Sequence, residues 1–102
     1  MTVYSYAPEA QQFKDESISI SKRVLDYSRL INSPLDTYDA VKLGAPYAKF
    51  PPGTDPEVRA KALLWALEEF GKEHVMSDML GASYVLFSTW NQAMMFKLRW
   101  AP

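Results

Sequence analysis

The chain of 102 residues is 48% apolar and 23% charged, the composition of one globular domain with room for a single core. Eleven Lys and Arg against twelve Asp and Glu leave a formal charge of −1, which argues against a charge-driven nucleic-acid binder. The absence of Cys and the presence of one His exclude disulfides, thiolate zinc sites and cysteine nucleophiles, and leave at most one imidazole base.

The opening Met-Thr-Val-Tyr-Ser-Tyr has neither a basic leader nor a continuous apolar run. The longest nearly apolar stretches, 63–67 and 93–96, fall far short of the ~20 residues of a spanning helix. The expectation is a cytoplasmic protein, one domain over 1–102, with no membrane partner. Ala10, Phe13, Ser17, Ile20, Val24, Tyr27 and Ile31 recur at steps of three and four and form one stripe on a helix. Ser17-Ile18-Ser19-Ile20-Ser21 alternates with period two instead. The segment is therefore read as helix with a break near Ser17, a short strand over Ser17 to Ser21 being the alternative, and 22–31 is its firmer half. The stripe faces the monomer core or, in the sharper alternative, a dimer seam.

Ser33-Pro34-Leu35-Asp36 reads as a cap, a first-turn proline and an acidic third position, opening a short helix with Leu35, Tyr38 and Val41 as contacts and Gly44 as its stop. Residues 45–53 form a proline-rich loop, pinned by Tyr47 and Phe50. Thr54-Asp55-Pro56-Glu57 starts the strongest helix, over 56–72, with either Thr54 or Asp55 as cap. Its core face is read as Ala60, Leu63, Leu64, Leu67, Phe70 and Gly71.

Ser83-Tyr84-Val85-Leu86-Phe87-Ser88 is short and rich in β-formers, as a strand should be. In 94–100, Phe96, Leu98 and Trp100 alternate with Met95, Lys97 and Arg99, the pattern of a half-buried strand with a basic outer face. Residues 89–93 link the two as a turn or one helical turn, and 74–80 offers a third strand. The predicted fold is α+β: two to three N-terminal and central helices packed on a small C-terminal antiparallel sheet.

Catalytic chemistry finds little footing. There is no Gly-x-Ser-x-Gly, and His74 with Asp78 is the sort of pairing any chain with one His and twelve acids permits. Gly44, Gly53, Gly71 and Gly81 are scattered and make no phosphate loop. Asp36 and Asp39 share a helical face, but two acids are weak support for a metal. The reading is no catalytic residue, no metal and no cofactor. Lys97 and Arg99 near Trp90, Trp100 and Tyr84 superficially suit base stacking with phosphate contact, but are read as an edge strand guarded by charge.

The positive signals point to binding. Trp65 falls ~160° from the Leu63/Leu67/Phe70 face on a helical wheel, beside Val58 and among charged residues. That leaves a second apolar patch for the chain or a partner to cover. Met95 shares the expected strand face of Lys97 and Arg99, and methionine suits adaptable surfaces. Trp65, Val58, Met95, Lys97 and Arg99 are thus the expected protein-interaction residues, the partner being another protein or a second copy. The alternative is a small anionic-ligand binder, with a pocket where Tyr47, Lys49 and Phe50 meet the sheet or between subunits, and with Lys49, Lys97 and Arg99 holding the anion.

The closing segment, Tyr84-Val85-Leu86-Phe87 followed by Asn91-Gln92-Ala93-Met94-Met95-Phe96-Lys97-Leu98-Arg99-Trp100, resembles the ends of small phage-encoded proteins that finish in strand, turn and a Phe-Lys-Leu-x-Trp type strand. The resemblance covers about a fifth of the chain. It implies a virus-encoded accessory protein that binds or blocks a host factor, or assembles with itself. It carries over no catalytic residue.

Overall fold

A computed structural model describes residues 13–77 and 84–100. Four helices, α1 (Ile20–Ile31), α2 (Thr37–Lys42), α3 (Pro56–Phe70) and α4 (Trp90–Trp100), accompany a three-stranded antiparallel sheet of β1 (Tyr47–Lys49), β2 (Val75–Ser77) and β3 (Tyr84–Phe87). The fold is α+β. The strand order is β1-β3-β2, with Tyr47 opposite Leu86, and Val75 opposite Phe87.

Local chemistry sets the helix limits. Ser19 caps α1, and Asn32 ends it in the left-handed conformation (φ 55°), where a short amide side chain is tolerated. Asp36, not Ser33, caps α2, accepting the Asp39 N–H at 2.8 Å. The expected start was therefore three residues early, because Ser33 and Asp36 both precede a plausible first turn. Asp55 caps α3 through the Glu57 N–H at 2.8 Å with Pro56 in the first turn, and Gly71 follows its end at φ 95°. Thr54 instead donates its hydroxyl to the Pro51 carbonyl at 2.6 Å.

Three sequence expectations change. The stripe Ile20, Val24, Tyr27, Ile31 does mark the inner face of α1, but Phe13 and Ser17 precede the helix; Ala10 lies outside the described residues. The Ser17 N–H and hydroxyl both donate to Asp15 Oδ1, a turn that competes with helix. The 45–53 loop contains β1, whose ladder is extended by the Phe87 N–H donating to the Pro46 carbonyl at 2.9 Å. The sheet is thus not a C-terminal block. Finally, 94–100 is helix rather than strand. Thr89 and Gln92 form a reciprocal cap: Gln92 N–H donates to Thr89 Oγ1 at 3.1 Å and Thr89 N–H to Gln92 Oε1 at 3.2 Å. That box starts α4, and Ala93, Phe96 and Trp100 at helical spacing form its inner face.

Alternation along the strands divides the interior. Val75, Ala48, Val85 and Phe87 pack with Phe50, Phe96 and the alanines Ala62, Ala66 and Ala93 of α3 and α4. On the opposite face Leu86, with Tyr47 and Met76, meets Phe13, Ile20, Val24, Tyr27 and Ala40 from the α1–α2 side. The sheet is therefore sandwiched, with α3 and α4 on the Phe87 face and α1 and α2 on the Leu86 face.

Candidate functional site

The redefinition of α4 rearranges the expected interaction residues. Met95, Lys97 and Arg99 do not share a face: at 100° per residue, Lys97 lies about 160° from Met95. Lys97 turns back over the rings of Tyr47 and Trp90, at 5.5 and 5.7 Å from their centroids. Arg99 lies over Trp65 at 5.3 Å. Trp65 is half-buried, edge-on to Phe70 and 6.4 Å from Phe96, so α4 covers much of the indole within the same molecule. The buried residues of α3 are Ala62 and Ala66, while Ala60, Leu64 and Leu67, expected inside, are exposed. The small alanines let α3 approach the phenylalanines closely, and this turns the Trp65 side inward and the Leu64 side outward. Val58 remains exposed.

The outer side of α4 carries large apolar side chains where an ordinary amphipathic helix is polar. Trp90, Met94 and Leu98 recur every four residues, with Met95 beside them, and are 44%, 59%, 82% and 45% exposed in the order 90, 94, 98, 95. Only Asn91 interrupts this surface with a polar group, and Arg99 closes its end. Leu98 was expected to point inward with Phe96. On a helix two residues apart they diverge by about 160°.

A second surface runs across the β1 edge of the Leu86 face. Tyr38 of α2 lies 6.1 Å from Tyr84, Tyr84 lies 5.7 Å from Tyr47, and Tyr47 lies 5.6 Å from Trp90. Lys42 sits over Tyr38 at 4.6 Å, Lys49 over Tyr84 at 5.4 Å, and Lys97 over Tyr47. The residues of the expected ligand pocket part company here. Tyr47 and Lys49 belong to this strip, whereas Phe50 is buried on the other side, against Phe96 at 5.7 Å. A cavity of about 420 Å³ opens elsewhere, between α1 and α2, lined by Tyr27, Ile31, Leu35, Leu43 and the Asp39–Lys42 pair.

His74 has a defined place as well. Its Nδ1 is 2.8 Å from Ser88 Oγ, and its Nε2 is 3.6 Å from Glu73 Oε1. Ser88 Oγ also accepts the Ile20 N–H at 2.9 Å, so one hydroxyl joins the start of α1 to the imidazole. The order serine, imidazole, carboxylate is that of a hydrolase relay, but Ser88 is 3% exposed and its hydroxyl is engaged at the start of α1. A substrate carbonyl has no approach to it. Asp78, the carboxylate considered from sequence, lies outside the described residues. Among the described residues no three His, Asp or Glu side chains converge as a metal site. No described helix is long and apolar enough to cross a membrane.

No protein-family model matches the chain, and no curated protein or solved structure matches it. The functional reading therefore rests on these surfaces alone. Sequence reasoning missed both the α4 stripe and the strip of rings. The Thr89-x-x-Gln92 box was the signal for the first. The strip is assembled from two stretches, 38–49 and 84–97, that are distant in sequence, and has no local signature.

Proposed function

We propose that the protein is a non-catalytic interaction module that works by burying the outer face of α4, and that the occupant of this face is a second copy of the chain. The observation that carries the reading is the exposure of Trp90, Met94, Met95 and Leu98 on one side of one helix. Aromatic and thioether side chains on a rigid helix are typical of the centre of a protein interface. A formal charge of −1 offers little self-repulsion. The stripe at spacing four is self-complementary about a two-fold axis. An antiparallel pair sets Arg99 of one copy beside Glu16 of the other, because Glu16 Oε2 accepts the Trp90 N–H at 2.6 Å at the opposite end of α4. A host factor on the same face is the competing occupant.

The test is molar mass by light scattering over a concentration series. The wild type is expected to approach twice the chain mass, and Leu98→Glu to stay monomeric with an unchanged melting curve, since Leu98 contributes little to the monomer core. A wild type that stays monomeric up to about 0.5 mM, weaker than about −5 kcal/mol of association, rules out the second copy.

A further inference from the structure

The strip across the β1 edge has a composition that the α4 stripe lacks. Four rings, Tyr38, Tyr84, Tyr47 and Trp90, follow one another at centroid separations of 5.6 to 6.1 Å, with Lys42, Lys49 and Lys97 over them. Tyr38 and Trp90 are about half exposed, Tyr47 and Tyr84 partly so. Lys42 is 3.8 Å from Asp39, but Lys49 and Lys97 have no carboxylate within 4.0 Å among the described residues. Two ammonium groups are thus held on aromatic faces without a neutralising acid, in a chain whose acids outnumber its bases.

We propose that this strip binds single-stranded nucleic acid. Each lysine has a flexible stem, so its ammonium moves from ring to phosphate when a strand arrives, and the face it leaves accepts a base. Stacking planes beside cations are the two elements that bind single strands without reading sequence. A duplex uses only half of the site, because its bases are already stacked on one another. An acidic peptide likewise answers the lysines and leaves the rings unused. The count of basic residues along the chain argued against nucleic acid, but that count assigned Lys97 to a strand face with Arg99. In the fold Lys97 joins Lys49 and Lys42, from segments far apart in sequence. The inference goes beyond the interaction reading and does not depend on it; the two surfaces share Trp90, while Tyr38, Tyr84, Tyr47, Lys42 and Lys49 lie off α4.

The experiment is fluorescence anisotropy of labelled oligo-dT and oligo-rU, each about 12 nucleotides long, titrated with the full chain. Dissociation constants of about 1–100 µM are expected at low salt, with log K falling against log salt at a slope of about −1.5 to −2 for two to three phosphates. Tyr38→Ala should weaken binding about tenfold, through one lost stacking plane. Lys49→Ala should flatten the salt slope by about 0.7. Both residues are exposed, and unchanged melting curves check that the fold is kept. A difference between the two oligonucleotides would tell DNA from RNA, and binding of either supports the site. No binding at about 200 µM protein overturns the proposal. So does heparin binding equal to that of oligo-dT with Tyr38→Ala unaffected, since the rings would then have no part. A dimer that Tyr38→Ala dissociates overturns it too, by giving the strip to a second copy. Leu98→Glu, which leaves the strip untouched, should bind the oligonucleotides like the wild type, so either proposal can fail without the other.

Discussion

On the Phe87 face of the sheet, Phe50, Phe87, Phe96 and Phe70 meet ring against ring at 5.2 to 5.9 Å, with alanines from two helices filling the spaces between them. On the Leu86 face the largest buried side chain is not apolar: Arg23, 1% exposed, donates Nη1 to the Phe13 carbonyl at 2.9 Å and Nη2 to the Ser88 carbonyl. Burial pushes this guanidinium below its ordinary pKa, against the pull of Asp15 and Glu16, yet at the pH of any cell it stays a cation. One side of the molecule is held by apolar area. The other adds to its apolar cluster a charged fork that ties the segment before α1 to the end of β3. The difference teaches that a chain this short can reinforce the smaller apolar cluster of its second layer with a polar fastening.

The comparison breaks first under core truncation. Phe87→Ala removes a fully buried ring touching Phe70 and Phe96 and should cost about 3–5 kcal/mol in chemical denaturation. Arg23→Met should cost less, about 2 kcal/mol. It leaves two carbonyls unpaired but relieves the desolvation of the charge. A larger loss for Arg23→Met than for Phe87→Ala would make the polar fastening the dominant element. Ser88→Ala sharpens the same side. It orphans the Ile20 N–H and the His74 ring and should cost about 1–2 kcal/mol, leaving the Phe87 face intact by near-ultraviolet circular dichroism.

The smallest expected effect is acid-dependent. Asp15 titrates below the usual carboxylate range because the Ser17 hydroxyl and N–H donate to it at 2.7 and 3.0 Å. Its folded pKa lies below its unfolded one, so its contribution is whole above the unfolded value and disappears as pH falls through the folded value. Urea midpoints measured from about pH 5 to 2 should fall slightly less steeply for Asp15→Asn than for the wild type.

What the sequence revealed follows the range of each interaction. The limits of α3 were legible because Asp55, Pro56 and Gly71 act within a few residues. So was β3, a run of β-formers too short for a helix. The inner stripe of α1 was visible because Ile20, Val24 and Tyr27 keep helical spacing. α4 was misread because Phe96, Leu98 and Trp100 also satisfy a period of two, and the Thr89–Gln92 box that decides the matter was passed over. β1 was lost among prolines, since three residues supply no periodicity. In the candidate surfaces, Trp65 was singled out for its position on a wheel whose inner face was drawn through leucines. Packing chose the alanines instead. The lysine–ring strip depends on which segments meet, and no local pattern carries that.

The central strand of the sheet is also the last to be made. β1 and β2 pair with β3 and not with each other, so during synthesis both wait, without hydrogen-bonding neighbours, until Tyr84–Phe87 leaves the ribosome. Proline on both sides of the waiting β1, at Pro46 and Pro51, shields it meanwhile from joining a stranger's sheet.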